Sequence, residues 1–79
     1  MSMRLIDEVR LIVKFDETDQ TEGVVAFLNV KGQWMPLMAA DERRYRDIED
    51  IATDMARQSG DTYKVISLTT RTEIGEITP

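Results

Sequence analysis

Any chemistry done by this chain would have to come from carboxylates. The sequence holds 15 Asp and Glu residues against 10 Lys and Arg, with no His and no Cys. Two acidic groups stand out: Asp16, Glu17, Asp19 and Glu22 in one polar run, and Asp47, Glu49, Asp50 and Asp54 in another. A pair of carboxylates flanking a sugar can hydrolyse a glycosidic bond. Alternating oxygen donors around a central Gly can hold calcium. The first run reads Asp-Glu-Thr-Asp-Gln-Thr-Glu-Gly over residues 16–23. It offers Asp16, Asp19 and Glu22 as donors but lacks the alternating spacing and the central Gly, so it reads as a solvated hairpin loop. The second run falls on a helix face that needs water and frames no cleft.

Other routes to catalysis are weaker still. A nucleophile needs a positioned base. The serines are Ser2, Ser59 and Ser67; none sits in a nucleophile elbow, and no imidazole exists to activate one. The glycines Gly23, Gly32, Gly60 and Gly75 are isolated, so there is no phosphate-binding loop. These residue types point to binding rather than to an enzyme, and they imply no cofactor and no metal. A net charge of −5 argues against direct nucleic-acid contact, which favours a basic surface. It suits a protein partner with a basic surface, and it equally suits a small domain kept soluble by charge. Arg43, Arg44 and Arg46 form the only basic cluster, and intrahelical pairs can absorb it. Trp34, followed by Met35, Leu37 and Met38, is the second binding signal, because Trp and Met are enriched at contact surfaces.

The element that positions the second acidic group is a helix over residues 41–60. Tyr45, Ile48, Ile51, Ala52, Met55 and Ala56 recur at helical spacing, with charged residues between them. Asp41 is the expected N-cap and Gly60 the left-handed stop. Glu42 and Arg57 complement the dipole. Glu42 with Arg46, Arg43 with Asp47 and Arg46 with Asp50 are spaced as ladder pairs. Each adds only about 0.2–0.5 kcal/mol, so burial of the stripe decides whether the helix forms. A strand follows over residues 63–70, with Ile66 and Leu68 expected to look inward and Tyr63 and Val65 outward.

Three strands precede the helix. Residues 8–15 alternate, with Val9, Leu11, Val13 and Phe15 on one face and Arg10, Ile12 and Lys14 on the other. Leu5 and Ile6 begin this strand or pack beside it. Residues 23–30 are apolar on both faces, which suggests an inner strand. Lys31-Gly32 makes a tight turn into residues 33–38, where Pro36 demands an edge or an early end. If Met35 and Leu37 face the helix as core, Trp34 and Pro36 face away, and Trp34 can join Phe27 or Val25 in a patch on the open face. The order β-β-β-α-β predicts a two-layer α+β fold, an antiparallel sheet with one amphipathic helix on one face. The last strand is expected to pair with the first and to reach as far as Ile74. At 79 residues the chain makes one domain, residues 1–79, with a frayed tail from about residue 75. No apolar run is long enough to span a membrane, and residues 1–4 carry no signal-peptide core, so a soluble cytoplasmic protein is expected.

The run Ile51-Ala52, Met55-Ala56, Gly60-Asp61-Thr62-Tyr63-Lys64-Val65 resembles the C-terminal half of many small phage-encoded proteins, in which an Ala-containing helix ends at Gly and leads into a Tyr-x-Val strand. In size, acidity and element order the chain is similar to accessory proteins of phages and mobile elements, anti-CRISPR proteins among them. That resemblance implies a non-catalytic inhibitor in the host cytoplasm. It would bind a CRISPR effector complex through an acidic, DNA-mimicking surface and keep target DNA out. The family type shares no motif, so no residue role carries over by position. The candidate contact residues come from the charge pattern and the lone Trp: Asp16, Glu17, Asp19, Glu22, Asp47, Asp50, Asp54 and Trp34. The alternative expectation is a small structural or regulatory module, a homodimer that buries Trp34.

Overall fold

The computed structural model describes residues 5–79; Ser2 and the rest of residues 1–4 lie outside it. The sheet is built on β1 (Val9–Asp16), the longest strand and the one richest in alternating β-branched residues. β6 (Lys64–Leu68) runs antiparallel along one edge of β1, with Val9 opposite Leu68, Leu11 opposite Ile66 and Val13 opposite Lys64. The expected pairing of first and last strands is therefore present. The strand stops at Leu68, however, and residues 69–79 form no further strand. Ile74 cannot extend the ladder, since the tail has no sustained alternation and β1 offers no edge beyond Val9. For the same reason Leu5 and Ile6 precede β1 and stay exposed.

The other edge of β1 is shared. β2 (Thr21–Val24) pairs with its second half, Val13 opposite Val24 and Asp16 opposite Thr21. β5 (Met38–Ala39) pairs with its first half, Arg10 opposite Ala39 and Leu11 opposite Met38. Between them the chain leaves the sheet as a hairpin arm, β3 (Ala26–Leu28) against β4 (Trp34–Pro36). So the expected second and third strands each break in two and change partner, at Val25 and at Leu37. A closed ring of backbone hydrogen bonds makes the fork. Ile12 N–H donates to the Leu37 carbonyl (2.9 Å), Leu37 N–H to the Val25 carbonyl (2.8 Å), and Val25 N–H to the Ile12 carbonyl (2.9 Å). Every polar backbone group at the branch point is thereby satisfied. The expected inner strand over residues 23–30 has two neighbours only at this fork. Pro36 sits where it must, on β4, whose only strand partner among the described residues is β3. Gly32 takes φ 79°, closing the arm's turn, and Asn29 Oδ1 accepts from the amides of Lys31 and Gln33, both at 2.9 Å.

α1 (Glu42–Ser59) packs across the sheet. Asp41 accepts from the Arg44 amide at 2.8 Å, and Gly60, at φ 75°, donates to the Ala56 carbonyl, so both ends close as the sequence requires. Of the ladder pairs, Glu42–Arg46 forms at 3.7 Å; Arg43–Asp47 and Arg46–Asp50 do not appear among the ion pairs of the described residues. Arg46 turns back to Glu42, which is also held by Arg10 at 2.8 Å.

The result is α+β: an antiparallel sheet with one 18-residue helix packed against its strands. Ile12, Leu37, Ala39, Ile48 and Ala52 form the buried cluster, with Val25, Phe27, Tyr45, Ile51, Met55 and Tyr63 around it. Two inward expectations are reversed. Tyr63 and Val65 line the helix side, Val65 standing opposite Ile12, while Ile66 and Leu68 lie on the face away from α1. Met35 is 41% exposed rather than core, because β4 is the arm's outer strand and no other strand of the described residues flanks it.

Candidate protein-binding site

Helix geometry gathers three of the candidate acids. At about 100° per residue, Asp47, Asp50 and Asp54 fall within roughly 60° of arc and span about 10 Å of axis. All three are exposed, and none is in an ion pair among the described residues. They run beside Ile51 and Met55, the residues with which α1 meets the arm.

The arm supplies the other wall. Phe27, Leu28 and Trp34 face Ile51, Asp54, Met55 and Gln58 across a shallow open groove. Leu28 and Trp34 are cross-strand partners, and Trp34 keeps 69% of its surface exposed. Phe27 packs inward on the core cluster and holds the arm in place. Trp34 does share a surface with Phe27, but it is this groove on the helix side and not the open face of the sheet. The fork swings the arm out of the main sheet and sets Trp34 beside the helix. Leu28 was the residue missed. Counting back across the turn at Lys31-Gly32 pairs it with Trp34, so the signal was present in the sequence.

The loop acids lie elsewhere. Asp16 closes the β1–β2 turn by accepting from the Thr18 amide at 2.9 Å, and Gln20 at φ 57° completes it. Asp16 and Glu17 border a separate depression with Lys14, Met55, Asp61 and Tyr63. Asp19 and Glu22 are exposed on the same hairpin. No group of three or more acids among the described residues converges closely enough to hold a metal ion. Near that depression Lys14 Nζ donates to Asp61 at 3.0 Å. This bond, with one from Ser59, holds the Asp61 carboxyl below its ordinary range and raises the Lys14 ammonium. At the opposite end of β1, the Ser67 hydroxyl donates to Glu8 at 2.6 Å and lowers that carboxyl.

The basic cluster is partly engaged. Arg44 reaches Asp41 at 3.6 Å and Arg46 reaches Glu42. Arg43 remains beside Asp47 at the N-terminal end of the acidic row. Compared with known protein families, curated proteins and solved structures, the chain matches none. No helix among the described residues is long and apolar enough to cross a membrane.

Proposed function

We propose that this protein is a non-catalytic inhibitor of the anti-CRISPR type, which binds the basic, nucleic-acid-facing surface of an effector complex. The observation that carries this reading is the meeting of an exposed indole and a carboxylate row at one groove. Trp34 and Asp54 line it, and Asp50 and Asp47 continue the row along α1. An Arg or Lys of a partner can lie on the indole face while its charge meets Asp54. The remaining carboxylates can then take cations that otherwise hold phosphates. A rigid helix keeps these groups in register without further ordering cost. The loop acids Asp16, Glu17, Asp19 and Glu22 add to the field that steers association but stand outside the groove.

The test is a low-salt pull-down against a panel of purified CRISPR effector complexes, followed by titration of the one that binds. Replacing Asp47, Asp50 and Asp54 together by Asn should weaken binding and flatten its salt dependence. Trp34→Ala should weaken binding without changing the salt slope. Binding that survives both changes, or no capture by any complex, rejects this function.

A further inference from the structure

The outer edge of β6 has no strand against it; among the described residues β6 pairs with β1 alone. Strand geometry says which of its backbone groups are left over. Ile12 turns both its N–H and its C=O to the fork. Alternate residues of a strand face opposite edges, so Val9, Leu11 and Val13 face β6 and bond Leu68, Ile66 and Lys64. The N–H and C=O groups of Val65 and Ser67 therefore point outward. An open edge of this kind is a template for another extended segment.

The stretch that follows β6 has the make-up of such a segment. Residues 68–72 read Leu-Thr-Thr-Arg-Thr, rich in β-branched residues and without the Gly, Pro, Asn or Asp that a tight turn favours. The chain runs on in the line of β6: Thr70, Arg71 and Thr72 border a depression with Ile6, Asp7, Glu8 and Val9, the residues next along from the Leu68–Val9 pair. Arg71 reaches Glu73 at 2.7 Å, a contact between alternate residues that an extended backbone places on one face. The tail is thus carried away from its own β6, and Ile74 and Ile77 stand 97% and 102% exposed.

Set antiparallel to a second copy of itself about Thr70, this stretch is self-complementary. Ile66 stands opposite the other copy's Ile74, Lys64 opposite Glu76, Tyr63 opposite Ile77, and Thr70 opposite Thr70. The outward backbone groups fall into hydrogen-bonding pairs, Val65 with Gly75 and Ser67 with Glu73, each twice by symmetry. The adjacent registers that keep the same faces are worse. One sets Lys64 against Ile74; the other sets Ile66 against Glu76 and brings the two Arg71 side chains together.

We infer that residues 63–77 form a continuous antiparallel ladder with the same residues of a second copy, so that each tail adds a strand to the other's sheet. The contact is isologous and closes at two copies. Main-chain bonds supply the affinity, and the Ile66–Ile74 and Lys64–Glu76 pairs fix the register. The Trp34 groove belongs to the fork, on the other edge of β1. This inference therefore does not rest on the groove, and the dimer leaves it open.

Sedimentation equilibrium of the full chain, from about 10 µM to about 1 mM, brackets weak and reversible association. The wild type should pass from monomer to dimer, and Ile74→Asp should stay monomeric. Ile74 is fully exposed in the single chain, so this variant should fold as the wild type does. Lys64→Glu should weaken the dimer about tenfold, because it sets two carboxylates together at two symmetric places. Adding Glu76→Lys in the same chain should restore it. The sequence has no Cys, so an introduced thiol can report the axis. Thr70→Cys should give a disulfide-linked dimer under mild oxidation at least about tenfold faster than Thr72→Cys, whose two copies stand about 14 Å apart. A wild-type monomer at about 1 mM overturns the inference; a tail folded back on its own β6 gives that result. So does a dimer indifferent to Ile74→Asp and to the Lys64 and Glu76 exchange, and so does equal cross-linking at positions 70 and 72.

Discussion

The two faces of β1 make an instructive pair. The face under α1 presents Arg10, Ile12 and Lys14; the face turned away presents Val9, Leu11, Val13 and Phe15. By composition the helix is on the wrong side. Amphipathicity of a single strand does not choose which side is covered. The choice falls to the whole layer: Leu37, Ala39, Val25 and Phe27 point the same way as Ile12, and together they offer α1 a larger apolar floor than either face of β1 alone. The two cations on that face are accommodated at its margins. Arg10 lies 4.7 Å from the Tyr45 ring and donates to Glu42 at 2.8 Å, while Lys14 reaches Asp61 beyond the helix end.

The largest effect should come from the covered face. Leu37 is fully buried and belongs both to the core cluster and to the fork. Leu37→Ala should cost about 2–5 kcal/mol, much or all of the stability of a chain this small. Urea unfolding followed by circular dichroism measures it. A loss below about 1 kcal/mol would mean that the core tolerates the cavity by collapse.

The lid itself comes next. Asp41→Ala removes the acceptor for the Arg44 amide and should cost about 1 kcal/mol. Amide exchange should quicken in the first turn of α1 and leave β1 and β6 little changed.

The face turned away from α1 should respond less at its rim, where Leu68 is 57% exposed. In dilute solution Leu68→Ser should change unfolding stability by no more than about 0.5 kcal/mol, although Leu68 is as apolar as Leu37. Equal costs at Leu37 and Leu68 would erase the contrast between the two faces.

The smallest effect is a pH dependence at the margin. Asp61 is depressed when folded, first by the Lys14 bond, so its contribution is complete above its unfolded value near 3.9 and fades as the pH falls through the lower folded value. Stability should therefore drop on acidification below about pH 4, and Lys14→Met should make that drop shallower. Urea midpoints across this range report it. An identical acid slope in the variant would show that Lys14 does not hold Asp61.

Local features were legible where neighbours in sequence decide them. Asp41 and Gly60 close α1 because capping involves residues three or four apart. Gly32 turns the arm because a positive φ is its own property. Asp47, Asp50 and Asp54 share a stripe because 3.6 residues make a turn. The period of two told which residues of β1 and β6 go together, and it did so for both faces.

What the sequence by itself determined is thus the α+β class, a single helix set between the earlier strands and a last one, both caps of that helix, and the acidic row. All of these follow from backbone geometry within a few residues. Tertiary structure decided the rest, and each such choice depends on groups far apart in the chain. The fork at Ile12, Val25 and Leu37 exists because three distant backbone groups satisfy one another in a ring, and no periodicity encodes that. The fork breaks two strands, lifts Trp34 out of the sheet and sets it beside Asp54. Which face of the sheet received the helix was settled by the sum of apolar area on each side, a quantity that no single strand carries.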